Sequence, residues 1–425
     1  MTQGLWRDEA FSVLMAEKPL SFIMTHLGFE PPVYYVLLHG WIRLFGSSDI
    51  SVKILSLIGY VLATWVVIEW GAQMFKKHWL SFFLPVFFFF NPMLLYYAFE
   101  VRTYAWYAFF SVGMLYAYST KRWNLFIAAA VLGFYTHVYI FPYFCAIVLH
   151  WFITEKPWKR SSVKKVFSTM AFRSIVIIFA FMLPWLIRIV FLTNRLSQSW
   201  YFPADIRLIY SALGNIFTGY EGTPWYGWRY TKYLSFFILC FSLLSASDKK
   251  HRYRNMLYLL FGYVPLAVII GISFLQPLYV VRYMIPTVIA EILIITTALA
   301  AMKNTLLSRF LAGILLLFTF AVNFWIPEHH KKIAIRETVG NVHMLLEKKD
   351  VILAEDALIF LETLFYAKDR NTVYVINPMK ETVPWYIGNS LITQDRMISE
   401  YPEYPRRAFL IHKNGSFDVV YRIPM

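Results

Sequence analysis

The sequence predicts an α-helical polytopic membrane protein of about ten membrane helices with a small C-terminal α/β soluble domain. Three observations predict it. The chain is 59% hydrophobic and only 15% charged, where a soluble domain carries about 25% charged residues. Apolar runs near the length needed to cross a hydrocarbon core follow one another through its middle. After residue 326 charge rises and the apolar runs become short.

Spans are expected at 54–74, 80–96, 103–119, 123–138, 139–154, 172–192, 233–247, 256–275, 283–302 and 306–326. The pair meeting near His137 leaves room for only a very short turn. This gives an outer head with interfacial helices over 1–53, a transmembrane domain over 54–326 and an extracytoplasmic α/β domain over 327–425. In that last part, strand-like runs at Val351–Ala354, Thr372–Ile376 and Ala408–His412 alternate with helix-like stretches at 329–349 and 356–368, the pattern of a small α/β unit. The sequence has no Gly-rich phosphate loop, no Cys/His metal spacing and no repeat of fixed period. Cys145 and Cys240 fall inside apolar segments and read as small core residues, so no structural disulfide is expected.

The formal net charge is +15. In a soluble protein this would suggest nucleic acid. Here the basic residues form clusters between spans, such as Lys76-Lys77, Lys121-Arg122, Lys164-Lys165 and Lys249-Lys250. Such clusters retain loops in the cytoplasm, and no nucleic-acid partner is expected. The head, the 193–232 loop, Arg282 and the tail then lie outside. Met1 to Trp6 cannot cross a bilayer, so either the head is translocated as a short N-terminal tail or a further helix lies upstream of it, and the upstream helix is the favoured expectation.

The residues that could carry chemistry sit at outer helix ends. Asp8-Glu9 places two carboxylates where an outer loop meets the membrane, and partial desolvation there makes a better base. The same pair also reads as a helix start, with Asp8 as N-cap. Glu100-Val101-Arg102-Thr103-Tyr104 follows an apolar span, and ionisable residues at that depth are expensive and usually functional. Arg282-Tyr283 offers a guanidinium suited to a phosphate, or an interface anchor in an aromatic belt. Pro31-Pro32-Val33-Tyr34-Tyr35 should start a short helix whose aromatic face lies in the interface. His137 on an apolar helix is more often a core residue than a catalyst. Trp200, Tyr201, Tyr220, Trp225, Tyr226 and Trp228 could stack on a sugar or belong to the belt.

Taken in order, these pieces resemble the polyprenyl-phosphate-sugar-dependent glycosyltransferases of the GT-C fold. The nearest branch is the bacterial family related to protein O-mannosyltransferases and to the aminoarabinose transferase of lipid A. The likeness covers roughly residues 5–300 and rests on the order and spacing of Asp8-Glu9-Ala10-Phe11-Ser12, Pro31-Pro32-Val33-Tyr34-Tyr35, Leu44-Phe45-Gly46, Glu100 to Tyr104, Thr136-His137 and Arg282-Tyr283. It implies an enzyme of the bacterial cytoplasmic (inner) membrane whose active site faces outside. Such an enzyme moves a hexose or pentose from a polyprenyl-phosphate donor to an outer acceptor.

By the same resemblance Asp8 is the base and Glu9 tunes it. Glu100, Arg102, Tyr104, His137 and Tyr283 line the cavity, and Arg282 holds the lipid-linked phosphate. Some relatives use a divalent cation and some do not, so a metal is left open and no cofactor is assigned. The chain departs from the pattern in lacking a span before Asp8 and in having Glu30 where relatives carry His or Lys. A flippase for such lipids is the alternative. It should place ionisable residues near the bilayer midplane, whereas here they gather at helix ends. A scaffold whose tail recruits envelope partners is a third reading.

Overall fold

The computed structural model describes residues 3–157, 168–192, 204–219, 228–329 and 332–424. The head forms α1 (Arg7–Ala16), α2 (Leu20–His26) and α3 (Val33–Phe45). Helix α1 starts because Glu9, three residues after an extended Trp6, turns back to accept the Trp6 amide at 3.0 Å, relieving one of the unpaired donors of a helix start. Asp8 therefore lies inside the first turn and is not the N-cap. Pro31-Pro32 does open α3, which ends at Gly46 with φ +76°, a conformation glycine adopts without strain. The expected interfacial aromatic face is corrected. Tyr34 and Tyr35 are fully buried beneath α1, and Leu44 and Phe45 are the exposed residues.

All ten stretches expected as spans are helical. They are α4 (Asp49–Phe75), α5 (Leu80–Phe89), α6 (Pro92–Tyr97), α7 (Tyr104–Ser119), α8 (Trp123–Phe134) and α9 (Ile140–Glu155), then α10 (Met170–Leu192), after which the short α11 (Ile206–Thr218) intervenes. They continue with α12 (Trp228–Ser247), α13 (Arg252–Ser273), α14 (Ile285–Ala301) and α15 (Thr305–His329). Six of these segments are long and apolar enough to cross a membrane alone, with shorter apolar helices beside them. The run at 80–96 is two helices rather than one. Pro92 cannot donate to the preceding turn, and Asn91 Oδ1 instead caps α6 by accepting the Leu94 amide at 3.2 Å.

Helix α14 is the central one. Its segment is 89% buried, against 17–44% for the other five long ones. Two expectations fail on this bundle. Cys145 and Cys240 are free but exposed on outward helix faces; a helix in lipid is apolar on its outer side too, so hydrophobicity does not separate core from rim. Ionisable residues are also not confined to helix ends, because Glu291 lies fully buried within α14.

The C-terminal part holds α16 (Ile335–Leu345), α17 (Ala357–Tyr366) and a five-stranded sheet of order β3-β2-β1-β4-β5. The strands are β1 (Val351–Ala354), β2 (Val373–Ile376), β3 (Met397–Ile398), β4 (Ala408–Ile411) and β5 (Phe417–Val420). The first four are parallel and β5 is antiparallel to β4. Its core includes Val339, Ile352, Phe360, Leu361 and Phe409. Ala10 and Leu14 of α1 join that same core, so the head helix is packed by the C-terminal domain on one face and by α3 on another.

Candidate active site

The site forms where α1, the α6–α7 loop, the α8–α9 turn and a short 3-10 turn at Val281–Met284 converge. It gathers residues from positions 8 to 332. Asp8 sits in the first turn of α1, where Arg7 Nε donates to its Oδ1 at 2.8 Å. Its Oδ2 is 4.0 Å from Arg282 Nη2. Burial alone would raise the Asp8 carboxyl. The nearby guanidiniums of Arg7, Arg102 and Arg282 outweigh it and hold the carboxyl below its usual range.

Glu9 is fully buried and fully engaged. Its Oε1 accepts the Val101 amide at 2.9 Å, and its Oε2 accepts from Lys332 Nζ at 2.7 Å as well as from Trp6. One side chain thus ties α1, the α6–α7 loop and the segment after α15 together. Glu100 is 4% exposed, and its Oε2 has no hydrogen-bond partner among the described residues. Burial pushes this carboxyl up to about 7, against the pull of Lys332 and with the push of Glu9.

Arg102 faces the head. Its Nη2 donates to Glu30 Oε1 at 2.5 Å. Its Nη1 donates to Ser12 Oγ at 3.2 Å and Tyr35 Oη at 3.3 Å. Tyr35 also donates to Glu30. Glu30 is therefore neutralised by Arg102 instead of standing as a lone negative charge. The remaining wall is aromatic. The Arg282 guanidinium lies 5.9 Å from the Tyr104 ring and 5.8 Å from the Tyr283 ring, within cation–π range. His137 stacks on Tyr107 at 4.4 Å and meets Tyr283 edge-on at 4.8 Å.

All eight residues singled out in the sequence, Asp8, Glu9, Glu100, Arg102, Tyr104, His137, Arg282 and Tyr283, come together here. Lys332 was missed, because a Lys-Lys pair after an apolar helix reads as an ordinary flank. Among the described residues, no group of three or more His, Cys, Asp or Glu is placed to hold a metal ion. Trp200, Tyr201, Tyr220, Trp225 and Tyr226 lie outside the described residues, as does the side chain of Trp228.

No protein-family model and no curated protein matches the chain. Solved structures do, among them two states of one protein. ArnT from Cupriavidus metallidurans bound to undecaprenyl phosphate superposes with TM-score 0.64, covering 96% of this chain and 89% of that one at 11% identity. The apo state of the same protein gives 0.62 at 10% identity, with the same coverage. This chain has the ArnT fold. The match takes in the membrane bundle, the head and the C-terminal domain alike, since it spans nearly the whole length. At this identity the shared property is the backbone arrangement, and the chemistry has to be argued from this chain's own residues.

Proposed function

We propose that the protein is a glycosyltransferase that moves a sugar from a polyprenyl-phosphate-linked donor to a hydroxyl of an extracytoplasmic glycan, lipid or protein, at the outer face of a bacterial cytoplasmic membrane. The observation that carries this reading is the 4.0 Å approach of Asp8 to Arg282 within a buried cluster walled by Tyr104, His137 and Tyr283. The ArnT-like fold supports it, since that neighbour holds undecaprenyl phosphate.

A sugar on a lipid phosphate already carries its leaving group, and substitution at the anomeric carbon passes through an oxocarbenium-like state. The protein must hold the departing phosphate, orient the acceptor and take its proton. Arg282 suits the phosphate because its charge is permanent and its donors fork onto oxygen. Asp8, across the 4.0 Å approach from Arg282, is the base that the family pattern designates to take the acceptor's proton. Tyr104, His137 and Tyr283 offer ring faces to the sugar. Direct displacement by this arrangement inverts the anomeric centre.

The test is a membrane fraction supplied with a panel of radiolabelled polyprenyl-phosphate sugars, comparing wild type with Asp8→Asn. Label leaving the lipid for a new product, and lost in the variant, identifies donor and activity. A second reading has one observation in its favour. Both carboxyl oxygens of the buried Glu291 lack a partner among the described residues, and an ionisable residue at membrane depth suits a transport path. Label that crosses the bilayer while staying on its lipid would favour that flippase reading.

A further inference from the structure

A groove of about 630 Å³ lies between α4 and α5, at the end of the bundle away from the site. The site end of α4 is fixed by Asp49, which accepts from Arg336 Nη1 at 3.2 Å and from Tyr366 Oη at 2.9 Å. The helix has 27 residues and runs about 40 Å, so Lys76 and Lys77 lie at the opposite membrane face. Helix α4 lines the groove with Thr64, Ile68, Ala72 and Lys76, which share one face at a spacing of four. Phe82, Pro85 and Val86 of α5 form the other wall, which ends at Phe90.

The groove has a closed end and a charged mouth. The Phe90 ring packs on Phe320 of α15 at 4.7 Å, and its carbonyl accepts from Asn323 Nδ2 at 2.7 Å. Near the mouth the two helices meet at Gly71, where a Cβ would lie 3.3 Å from the Ser81 carbonyl oxygen. The groove is therefore a crease between packed helices and not a gap through the bundle. Its walls are apolar and open to the outside, with Ile68 49% and Phe82 75% exposed. Lys76 and Lys77 stand exposed at the mouth, and neither side chain has an ion-pair partner among the described residues.

Length and charge select the occupant. From Lys76 to Thr64 the groove follows about 18 Å of helix, close to half of a hydrocarbon core about 30 Å thick. The acyl chain of one leaflet fits that length, whereas a membrane-spanning partner helix would overrun the closed end. Among the described residues no acidic side chain lines the groove, and its cations sit only at the mouth, where a lipid carries its phosphate. A basic pair that merely retains a loop needs no groove behind it.

We propose that this groove binds an anionic phospholipid of the leaflet opposite the active site, with one acyl chain between α4 and α5 and the phosphate between Lys76 and Lys77. The inference stands apart from the transferase reading. In the orientation that the basic loops imply, that leaflet faces the cytoplasm and carries the negative surface potential. The bound chain would brace α5, which packs on the central α14.

The experiment places the full chain in phosphatidylcholine nanodiscs with a trace of phosphatidylglycerol that carries a photoreactive diazirine on one acyl chain. Crosslinked peptides are then mapped. Label should fall on 64–72 and 82–90. Unlabelled phosphatidylglycerol should compete, and glycerol phosphate should not. A lysine near an anionic headgroup contributes about fivefold in affinity, so the Lys76→Gln, Lys77→Gln double variant should need roughly 20–30-fold more lipid for equal labelling. Lys76→Arg with Lys77→Arg should label as wild type does. Ala72→Phe keeps both lysines but fills the groove, and should lose the label on 82–90. Equal labelling of wild type by a phosphatidylcholine analogue overturns the proposal, as does label unchanged in the double Gln variant. Competition by glycerol phosphate also overturns it, since that marks a site for free phosphate. The headgroup comparison is made on the unaltered protein and decides alone should a variant fail to fold.

Discussion

Lys332 Nζ lies 2.7 Å from Oε2 of Glu9, so the segment that follows the last membrane helix is bonded to the helix that carries Asp8. The Glu9 side chain has no exposed surface and that of Lys332 is 16% exposed. Cutting one partner from a buried pair leaves the other charge uncompensated, a loss of roughly 3–5 kcal/mol where both are dry. Lys332→Met should therefore lower the thermal midpoint in detergent clearly, and Lys332→Arg should recover most of it. An unchanged midpoint in Lys332→Met would mean that the two amides alone satisfy Glu9.

Arg282 is expected to act on the donor. Charge-assisted hydrogen bonds are worth about 1.5–3 kcal/mol each, so Arg282→Met should lower kcat/KM for the lipid donor by at least about 10²-fold. Arg282→Lys keeps the charge but loses the fork and should fall between. Titrating polyprenyl phosphate against each variant checks this, and equal affinity in all three would remove Arg282 from phosphate binding.

Glu30 occupies a position where the resembling family carries His or Lys, yet restoring that residue should do harm. Glu30 balances Arg102 at 2.5 Å, and its side chain is 36% exposed. Glu30→Lys would set two cations together beneath α1. With solvent screening at Glu30, the expected loss is about 1–2 kcal/mol, with a matching fall in thermal midpoint. A stabilised variant would show that Arg102 finds another carboxylate.

The pH dependence of stability has a definite sign. Glu100 and Glu362 both have folded-state values of about 7, above the ordinary 4.5. Between these limits the folded protein binds more protons than the unfolded chain, so stability falls as pH rises across that window. Their contribution is largest below about pH 4.5 and gone above about 7. Carboxyls held low, such as Asp350 beside Arg407, act oppositely and destabilise only in stronger acid. Thermal midpoints should thus be higher at pH 5.5 than at 8, and the difference should shrink in a Glu100→Gln, Glu362→Gln double variant.

Much of this was legible in the sequence for one physical reason. An ionisable residue bounded by apolar runs is costly, so Glu100, Arg102 and Arg282 stood out against their surroundings, while Asp8 drew notice as one of two adjacent carboxylates that also read as a helix start. Lys332 did not, because its meaning depends on a contact 323 residues away. Glu291 was overlooked because hydropathy averaged over a span conceals a single acid. In the C-terminal domain the strands β1, β2 and β4 were readable as short apolar runs. Strand β3 has two residues, and β5 is an edge strand with exposed positions, so neither left a pattern.

The docking of α1 on the C-terminal domain can be loosened at one glycine. Gly388 has φ +88°, and a Cβ there would lie 2.6 Å from Cδ2 of Phe11, a residue of α1 three positions after Asp8. Left-handed backbone costs a non-glycine residue about 1–2 kcal/mol, and forcing extra atoms into a packed site about 1–3 more. Gly388→Ala should lower the thermal midpoint. It should also push α1 away from the domain, so turnover should fall more than donor affinity, because Arg282 is carried by the membrane bundle and stays where it is. Measuring kcat and KM for the donor separates the two effects. A loss confined to KM would place the donor site, and not the Asp8 helix, under the control of the C-terminal domain.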